Sequence, residues 1–469
     1  MPIQGLSKPN HTKGDIVMKK KVLGILMGIS VLAATLAGCG QAPASTESSA
    51  PAPAAAESEP AAETPAAEST ADVQAGGEKK TVQFWHCMSG TNGDLINQMV
   101  TDFNSSQDEV EVVATFQGSY AEAAAKAEQA IFAGNSPDIL QVAQDNVGRL
   151  AVNGAFADLL PYMQKDGVDD KDFVDAFVND AYYDGQLVVI PFGRSAQILH
   201  INKTVLDEMG CEIPTTWEEL KEVANKCTVV ENGETKRYGL SVPFDQWEFF
   251  ALIQQAGGKF FNEDQTGLGC LEDGTAKEAF SFMKDLQDSG ALYYNDPAND
   301  QDNQMFTSGM AAMTINSSGA ITSRRETIGD SFEYVVAPLV KGKIESMPTG
   351  GNGFGILAAS KEQEAAWKFM KWFIEDEKGG LAFVMGSGYL PFTKTMAQSD
   401  AIQQLWKESD NYKIAYDALQ YGDDSYRIAN LTPVIAEFRT CIQAIMLDDQ
   451  DIDESLKTFS DSVDIILNE

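Results

Sequence analysis

The chain has 469 residues, of which 69 are acidic and 34 basic, so its formal net charge at pH 7 is −35. Nucleic-acid binding depends on concentrated positive charge, so this balance argues against it. The charge suits a water-exposed protein and says little about a ligand, because the local field of a site can oppose the net charge.

The N-terminus carries the pattern of a secretion signal. Lysines at positions 19–21 precede an apolar run over residues 22–37, which ends in Leu36-Ala37-Gly38-Cys39. A basic start, an apolar stretch and small residues before a cut are typical of a signal peptide, and the run is shorter than the ~20 residues of a spanning helix. Met18 is a more usual start for such a signal, so residues 1–17 are predicted not to belong to the natural protein.

A cysteine directly after Leu-Ala-Gly resembles the bacterial lipobox. This resemblance implies that residues 1–38 are removed and that the Cys39 thiol carries a diacyl anchor, with palmitate as a typical acyl chain. Acyl chains contribute ~0.8 kcal/mol per buried CH₂, enough to hold a protein at a membrane surface. We expect an extracytoplasmic lipoprotein at the bacterial cell membrane; the alternative is an ordinary signal peptide followed by a chance cysteine.

Residues 39–80 differ sharply in composition from the rest of the chain. Ala, Pro, Ser, Thr and Glu dominate, and large apolar side chains are almost missing. Such a segment buries too little surface to offset the entropy of ordering, which predicts a disordered linker, with a mucin-like stalk as the alternative. The remainder is longer than the ~250–300 residues at which a single core stops growing, so two lobes are expected.

Residues 81–143 alternate between strand and helix patterns. Apolar and β-branched runs predict strands at 81–85, 110–116 and 139–142, and helical spacing predicts helices at 95–103 and 121–133, the second closed by Gly134. This order implies a parallel sheet covered by helices. Capping boxes that begin at Thr216 and Ser360 predict the starts of two later helices.

Six blocks between residues 81 and 460 resemble, in the same order, family 1 extracellular solute-binding proteins. The blocks are Phe84-Trp85-His86, Gln117-Gly118-Ser119-Tyr120, the Pro-Asp-Ile-Leu-Gln-Val of 137–142, Asn202-Lys203 with the later Pro-Thr-Thr-Trp-Glu-Glu-Leu of 214–220, the Ala-Met-Thr-Ile-Asn-Ser-Ser-Gly of 312–319, and Gly388-Tyr389-Leu390-Pro391 followed by Arg427. Within the family, the chain resembles in particular the members that bind glycerol-3-phosphate for bacterial ABC importers.

The resemblance implies an α/β, two-lobed periplasmic-binding-protein fold with maltose-binding-protein-like topology and three hinge crossings, near residues 191–195, 347–351 and 386–389. Lobe one would span 81–192 and 350–386, and lobe two 193–349 and 387–469. A solute in the cleft touches both lobes and favours the closed form through its differential affinity. ABC permease subunits would recognise that form, and the protein is expected to be a monomer.

The resemblance also implies a set of ligand contacts: Tyr120, Gln144, Ser195, Trp247, Ser317, Gly351, Tyr389 and Arg427. Hydroxyls, a backbone amide and the Arg427 guanidinium would suit a phosphate, and Arg194 is a second possible cation. Phe244 and Trp247 lie in a loop that lines the cleft with aromatic rings in relatives. Read without the resemblance, these side chains would be ordinary turn, loop and surface residues.

Three departures from the relatives leave the solute open. The chain has His200-Ile201-Asn202 where Tyr-Tyr-Asn is common, Gln144 in place of a ligand-binding Glu, and Gly193-Arg194-Ser195 in place of Asn-Ser-Ser. Glycerol-3-phosphate, a glycerophosphodiester or a related sugar is the expected solute, and a neutral oligosaccharide is the alternative.

No motif in the chain predicts an enzyme, a metal site or a cofactor. The glycine-rich stretch 350–355 lacks the Lys-Ser/Thr of a phosphate loop, and no nucleophile stands in a known catalytic motif. Two other protein classes compete with a solute-binding protein: a secreted glycoside hydrolase, which needs only two carboxylates, and an adhesin. Five further cysteines are widely spaced and predict small buried thiols, with one disulfide possible: Cys87, Cys211, Cys227, Cys270 and Cys441.

Overall fold

A computed structural model of the chain describes residues 79–294, 301–423, 428 and 430–468. The signal segment, almost all of the linker, Cys39 and Arg427 lie outside these described residues. Among the helices inside them, none combines the length and the apolar character needed to cross a membrane.

The strands, in chain order, are β1 (Lys80–His86), β2 (Val110–Phe116), β3 (Ile139–Ala143), β4 (Tyr182–Tyr183), β5 (Gln186–Leu187), β6 (Ile190–Asn202), β7 (Val229–Glu231), β8 (Glu234–Val242), β9 (Leu292–Tyr294), β10 (Ala311–Ser317), β11 (Tyr334–Pro338), β12 (Met347–Ile356) and β13 (Gly422–Asp423).

The helices are α1 (Gly90–Ser106), α2 (Tyr120–Ala133), α3 (Gln144–Ala151), α4 (Leu160–Asp166), α5 (Asp175–Val178), α6 (Lys203–Glu208), α7 (Trp217–Cys227), α8 (Trp247–Gln255), α9 (Gly269–Glu272), α10 (Thr275–Asp288), α11 (Asp302–Thr307), α12 (Ile321–Ile328), α13 (Gln363–Glu375), α14 (Ala382–Gly386), α15 (Lys394–Gln398), α16 (Asp400–Glu408), α17 (Asp410–Asp417), α18 (Leu431–Met446) and α19 (Ile452–Asn468).

One sheet connects most of these strands in the order β2-β1-β3-β12-β6-β10-β8-β7, with β13 added to β12, β11 to β6 and β9 to β8. β1 pairs in parallel with both β2 and β3, as the alternating pattern predicted. The long strands β6 and β12 pair antiparallel in the middle of the sheet. Every residue of β6 is buried, which is typical of a strand covered on both faces.

Two hydrophobic core clusters pack on the two halves of this sheet. The first core cluster gathers side chains of β1 to β3, α1 and α13 around Phe84, and the second gathers side chains of β8, α8, α10 and α18 around Phe249. Strand β6 passes from the first cluster at Ile198 to the second at Leu199. Buried side chains between residues 390 and 418 belong to the first cluster, although the predicted boundary assigns 387–469 to lobe two. The lobe boundaries themselves remain a prediction.

Helix α2 is closed at both ends by local hydrogen bonds. Ser119 Oγ accepts from the Glu122 N–H, and the Glu122 carboxylate accepts from the Ser119 N–H, which is a complete capping box that the sequence analysis did not identify. At the other end, Gly134 adopts φ +73°, the left-handed conformation expected of a glycine that ends a helix. The cap at Ser119 makes Tyr120 the first residue of the helix.

The two predicted capping boxes have different outcomes. Thr216 caps α7, because its hydroxyl accepts from the Glu219 N–H at 3.2 Å; the Glu219 carboxylate, however, accepts from Thr215. The box predicted at Ser360 is wrong, since α13 begins only at Gln363. The Ser360 hydroxyl instead donates to Asp138 Oδ1 at 2.5 Å and accepts from the Glu362 N–H at 3.0 Å, and the helix begins two residues later than the local pattern favoured.

The cysteines of the described chain are free thiols. Cys211, Cys227, Cys270 and Cys441 are buried, and Cys87 is half-buried. Burial raises the pKa of the Cys227 and Cys441 thiols to about 12, so both stay protonated near neutral pH. They serve as small core side chains, in keeping with the prediction of buried thiols.

Candidate functional site

A cavity of about 320 Å³ opens beside the paired centres of β6 and β12. This volume lies at the lower end of the ~300–1,000 Å³ typical of small-molecule sites. The structure brings together seven of the eight predicted contacts in its lining: Tyr120, Gln144, Ser195, Trp247, Ser317, Gly351 and Tyr389. The eighth, Arg427, lies outside the described residues.

The side chains of the cavity stand at the ends of regular elements. Tyr120 is the first residue of α2, and Gln144 is the first residue of α3, which follows β3 without a loop. Ser317 ends β10, and Trp247 begins α8. In open α/β sheets, ligands bind beyond the carboxyl ends of the strands, and the cavity has this position relative to β3 and β10.

Two glycines of β12 allow the floor of the cavity to pack closely. Gly351 has φ +105°, and a Cβ at this position would lie 2.0 Å from the Gly193 carbonyl oxygen of β6. A Cβ on Gly350 would lie 2.4 Å from the Trp247 ring. These glycines therefore permit a strand-to-strand approach and an indole contact, which explains the composition of the stretch without a phosphate loop.

Three polar atoms of the lining have no hydrogen-bond partner within the described part of the chain: Trp247 Nε1, Gln144 Oε1 and Gln246 Oε1. The Gln144 side-chain Nε2 donates to the Thr349 carbonyl at 2.5 Å, which orients the amide. The indole N–H is a donor and the amide oxygens are acceptors, so all three can be satisfied by hydroxyl groups, which donate and accept.

Aromatic rings contribute a further part of the lining. Trp247 and Phe250 both belong to α8 and line the cavity. Burial raises the pKa of the Tyr120 and Tyr389 hydroxyls, which therefore remain protonated and able to donate. Phe244, predicted to share the aromatic wall, instead packs edge-on against Tyr294, with ring centroids 6.1 Å apart.

Two carboxylates that the sequence analysis did not identify, Asp145 and Asp245, also line the cavity. Burial raises the pKa of Asp145, and the nearby Asp245 carboxylate raises it further. Burial likewise raises the pKa of Asp245, although Arg439 lies 3.0 Å from its Oδ2 and opposes the shift. Their positions gave a signal, because Asp145 follows Gln144 directly and Asp245 lies two residues before Trp247.

Within the described residues, the lining contains no lysine or arginine. The prediction that Arg194 could face a phosphate is wrong. Arg194 is 2% exposed, and its guanidinium binds both oxygens of Asp180, at 2.7 and 3.1 Å, while its Cζ lies 5.0 Å from the centre of the Phe177 ring. The Arg194 charge is therefore compensated inside the protein and is not available to a solute.

We expect Asp145→Asn to raise the free energy of unfolding at pH 7, by less than about 1 kcal/mol because Asp145 is partly exposed. The folded state raises the pKa of Asp145, so ionisation destabilises the fold as pH rises through and above the ordinary aspartate range. The gain should vanish below about pH 4, where this side chain is protonated in both states. Urea denaturation at pH 7 and pH 3.5 measures the difference, and an equal gain at both values would contradict the explanation.

Comparison with known proteins places these features in a family. Residues 98–408 match the family described as bacterial extracellular solute-binding protein. The sn-glycerol-3-phosphate-binding periplasmic protein UgpB of Rhizobium meliloti is 26% identical over 333 residues, which cover 66% of this chain and 75% of that protein. A maltotriose-binding protein of Pyrococcus abyssi is also 26% identical, over 327 residues that cover 69% of this chain and 68% of that protein.

A solved structure resembles the fold as a whole. The maltose/maltodextrin-binding domain MalE of Bdellovibrio bacteriovorus, bound to maltotriose, superposes with a TM-score of 0.71 at 21% identity and covers 83% of this chain and 98% of that chain. This similarity confirms the predicted maltose-binding-protein-like α/β fold.

Proposed function

The chain belongs to the bacterial extracellular solute-binding proteins, and from this premise we propose that it captures a small neutral carbohydrate in the cavity and delivers it to an ABC permease. One observation carries the choice of solute: the described lining offers hydroxyls, amides, an indole N–H and two carboxylates, but no cationic side chain. Sugar hydroxyls can donate to Asp145 and Asp245 and accept from Trp247. An anionic solute would be repelled by Asp145, while the charge of Asp245 is partly compensated by Arg439.

The aromatic wall supports the same choice. A sugar ring has an apolar face, and Trp247 and Phe250 provide broad apolar surfaces next to the polar groups of the cavity. We propose that the solute is contacted by nine residues of the cavity: Tyr120, Gln144, Ser195, Trp247, Ser317, Gly351, Tyr389, Asp145 and Asp245.

We propose that transport depends on closure of two lobes around the solute. The proposed lobes are residues 81–192 with 350–386 and residues 193–349 with 387–469, joined by strands that include β6 and β12. The segment 390–418 packs in the first core cluster, which favours its assignment to lobe one. A solute that touches Asp145 in one lobe and Asp245 in the other would favour the closed form, because only that form makes both contacts. The ABC permease would bind the closed monomer.

Glycerol-3-phosphate or a glycerophosphodiester is the second candidate. It is supported by the sequence similarity to the glycerol-3-phosphate-binding UgpB proteins. The resemblance of the sequence blocks also implies Arg427 as a cationic contact. In a cleft that contains two carboxylates, a phosphate would need such a cation, since an uncompensated charge in a desolvated site is strongly disfavoured.

A thermal-shift panel decides between the two candidates. We expect maltose or maltotriose to raise the melting temperature of the mature protein, since a ligand at ~100 times its Kd stabilises by ~2.7 kcal/mol, and we expect glycerol-3-phosphate and glycerophosphocholine to leave it unchanged. Arg427→Ala should change carbohydrate affinity only a few-fold. If the wild type binds a phosphate ester and Arg427→Ala weakens that binding roughly 30- to 5,000-fold, the result would reject the carbohydrate and support the second candidate.

We further propose that Cys39 is the acylated first residue of the mature protein and anchors it outside the membrane. Cys39→Ala should move the protein from the membrane fraction into the medium or periplasm, or leave the signal segment uncleaved, because the thiol is the acceptor of the acyl anchor. Cell fractionation with mass spectrometry of the N-terminus measures both effects. Cys87→Ala is the matched control, and a Cys39→Ala protein that is processed and retained like wild type would contradict the proposal.

A further inference from the structure

Asn352 is a fully buried polar side chain directly behind the cavity. It lies on β12 at an irregularity in the pairing with β6, where the register shifts between Gly351 and Gly353. At this point the side-chain amide of Asn352 bonds to the backbone of β6: Nδ2 donates to the Gly193 carbonyl at 3.2 Å, and Oδ1 accepts from the Gly193 N–H at 3.3 Å.

The backbone groups determine which end of the amide is nitrogen. The Gly193 N–H can only donate and its carbonyl can only accept, so Oδ1 of Asn352 must face the former and Nδ2 the latter. Gln141 gives a second, independent constraint: its Oε1 accepts from the Cys87 N–H at 2.8 Å, which leaves its Nε2 to donate to Asn352 Oδ1 at 2.9 Å. Both constraints give the same orientation.

The remaining hydrogen of Asn352 Nδ2 bonds to a residue of the cavity. Nδ2 lies 2.8 Å from the Tyr120 hydroxyl oxygen, and because Nδ2 is a donor, that oxygen must accept. The Tyr120 proton is therefore left for an acceptor on the cavity side, where the Tyr389 hydroxyl also lies. If Tyr389 accepts this proton, its own proton is in turn left for the solute, so the tyrosine pair presents a donor in either case.

We propose that Asn352 is a positioning residue that holds the Tyr120–Tyr389 pair as a hydrogen-bond donor, so that the solute must present an acceptor oxygen at this point of the cavity. The inference rests on the proposed function, because it concerns the selection of the solute in the same cavity. It specifies that function further: a hydroxyl, ether or carbonyl oxygen of the solute can accept the proton that the tyrosine pair offers here.

Gly193 contributes to the same arrangement. A Cβ at this position would lie 2.9 Å from Asn352 Nδ2 and 3.3 Å from a ring carbon of Tyr389. A side chain here would displace the amide from the backbone that orients it.

A first experiment tests, without any solute, whether the Asn352 amide donates to the Tyr120 hydroxyl. Incorporation of 3,5-difluorotyrosine at position 120 gives a hydroxyl that ionises nearer neutral pH and can be titrated by absorbance. A donor bond stabilises the phenolate, so Asn352→Asp, which replaces the donor by an acceptor of the same shape, should raise the pKa of this hydroxyl. Asn411→Asp is the matched control, since Asn411 is also buried and bonds to backbone at Val336 and Tyr334, away from the cavity.

A second experiment measures the effect on maltotriose binding by calorimetry. Asn352→Asp should weaken binding by roughly 10- to 100-fold, the loss expected for one buried hydrogen bond. Tyr120→Phe should weaken it by a similar factor. Because Asn352 acts through the Tyr120 hydroxyl, the double variant should bind no more than about threefold worse than Tyr120→Phe alone, as a double-mutant cycle between coupled residues requires. Asn411→Asp should bind like wild type.

The outcomes separate this proposal from the carbohydrate assignment. An unchanged pKa of the fluorinated hydroxyl in Asn352→Asp, or losses that multiply in the double variant, would overturn the role of Asn352. Failure of maltotriose to bind the wild type would reject the carbohydrate, and the titration would still decide on Asn352. If Asn352→Asp does not fold, Asn352→Ala, which removes the donor without adding charge, should raise the same pKa and show the same non-additivity.

Discussion

Replacement of Arg194 by alanine should lower the free energy of unfolding by about 3–5 kcal/mol, the cost of breaking a buried ion pair by removal of one of its members. Asp180, the partner, is 4% exposed, and it accepts both bonds of the guanidinium fork, at 2.7 and 3.1 Å. The substitution also removes the contact of the guanidinium with the Phe177 ring. Urea denaturation of the mature protein measures the change.

Two further variants show whether the loss of the Arg194 charge beside Asp180 is the cause. The double substitution Arg194→Met with Asp180→Leu removes both charges, and it should recover much of the loss, since buried ion pairs are often replaceable by apolar side chains. Lys457→Ala breaks an exposed pair with Asp461 and should cost less than about 1 kcal/mol. A double variant as unstable as Arg194→Ala would show that packing, and not the charge, accounts for the effect.

Replacement of Gly351 by alanine should destabilise the fold by roughly 3–5 kcal/mol, from two effects that add. The residue has φ +105°, which a side chain adopts at a cost of order 1–3 kcal/mol, and the new Cβ would lie 2.0 Å from the Gly193 carbonyl oxygen, where only movement of a strand can relieve the overlap. The pairing of β6 with β12 should open here, so carbohydrate affinity should fall together with the melting temperature.

Gly134→Ala is the matched control for the conformational part of this cost. Gly134 also has a positive φ, +73°, but nothing lies within 4 Å of its potential Cβ. Its substitution should therefore cost only about 1 kcal/mol. An equal loss of free energy of unfolding in the two variants would contradict the prediction. It would show that the close approach of β12 to β6 does not require glycine at position 351.

The local patterns of the sequence predicted the first layer of the fold well. The strand at 110–116 was predicted with its observed bounds, and the order of strands and helices up to β3 predicted the parallel pairing of β1 with β2 and β3. Periodicity succeeds here because each of these elements buries one face against its immediate neighbours in the chain. The capping pattern failed at Ser360, whose hydroxyl donates to the distant Asp138 while α13 begins at Gln363.

The candidate site was likewise predicted only in part from the sequence. The order of the blocks predicted seven side chains that the structure gathers around one cavity, including Tyr120 and Tyr389, which are far apart in the chain. It did not identify Asn352, because an asparagine beside glycines is an ordinary turn composition. Only the pairing of β12 with β6 shows that its amide bonds to Gly193 and Tyr120.

The sequence by itself determined the family, the α/β class and the main positions of the cleft, because these depend on residue types in a linear order. The tertiary structure decided the electrostatics of the site. Arg194, next to Ser195 in the chain, is neutralised by Asp180, while Asp145 and Asp245, a hundred residues apart, line one cavity. The interaction between charges depends on their distance in space and on their burial, and neither quantity can be read from the order of residues.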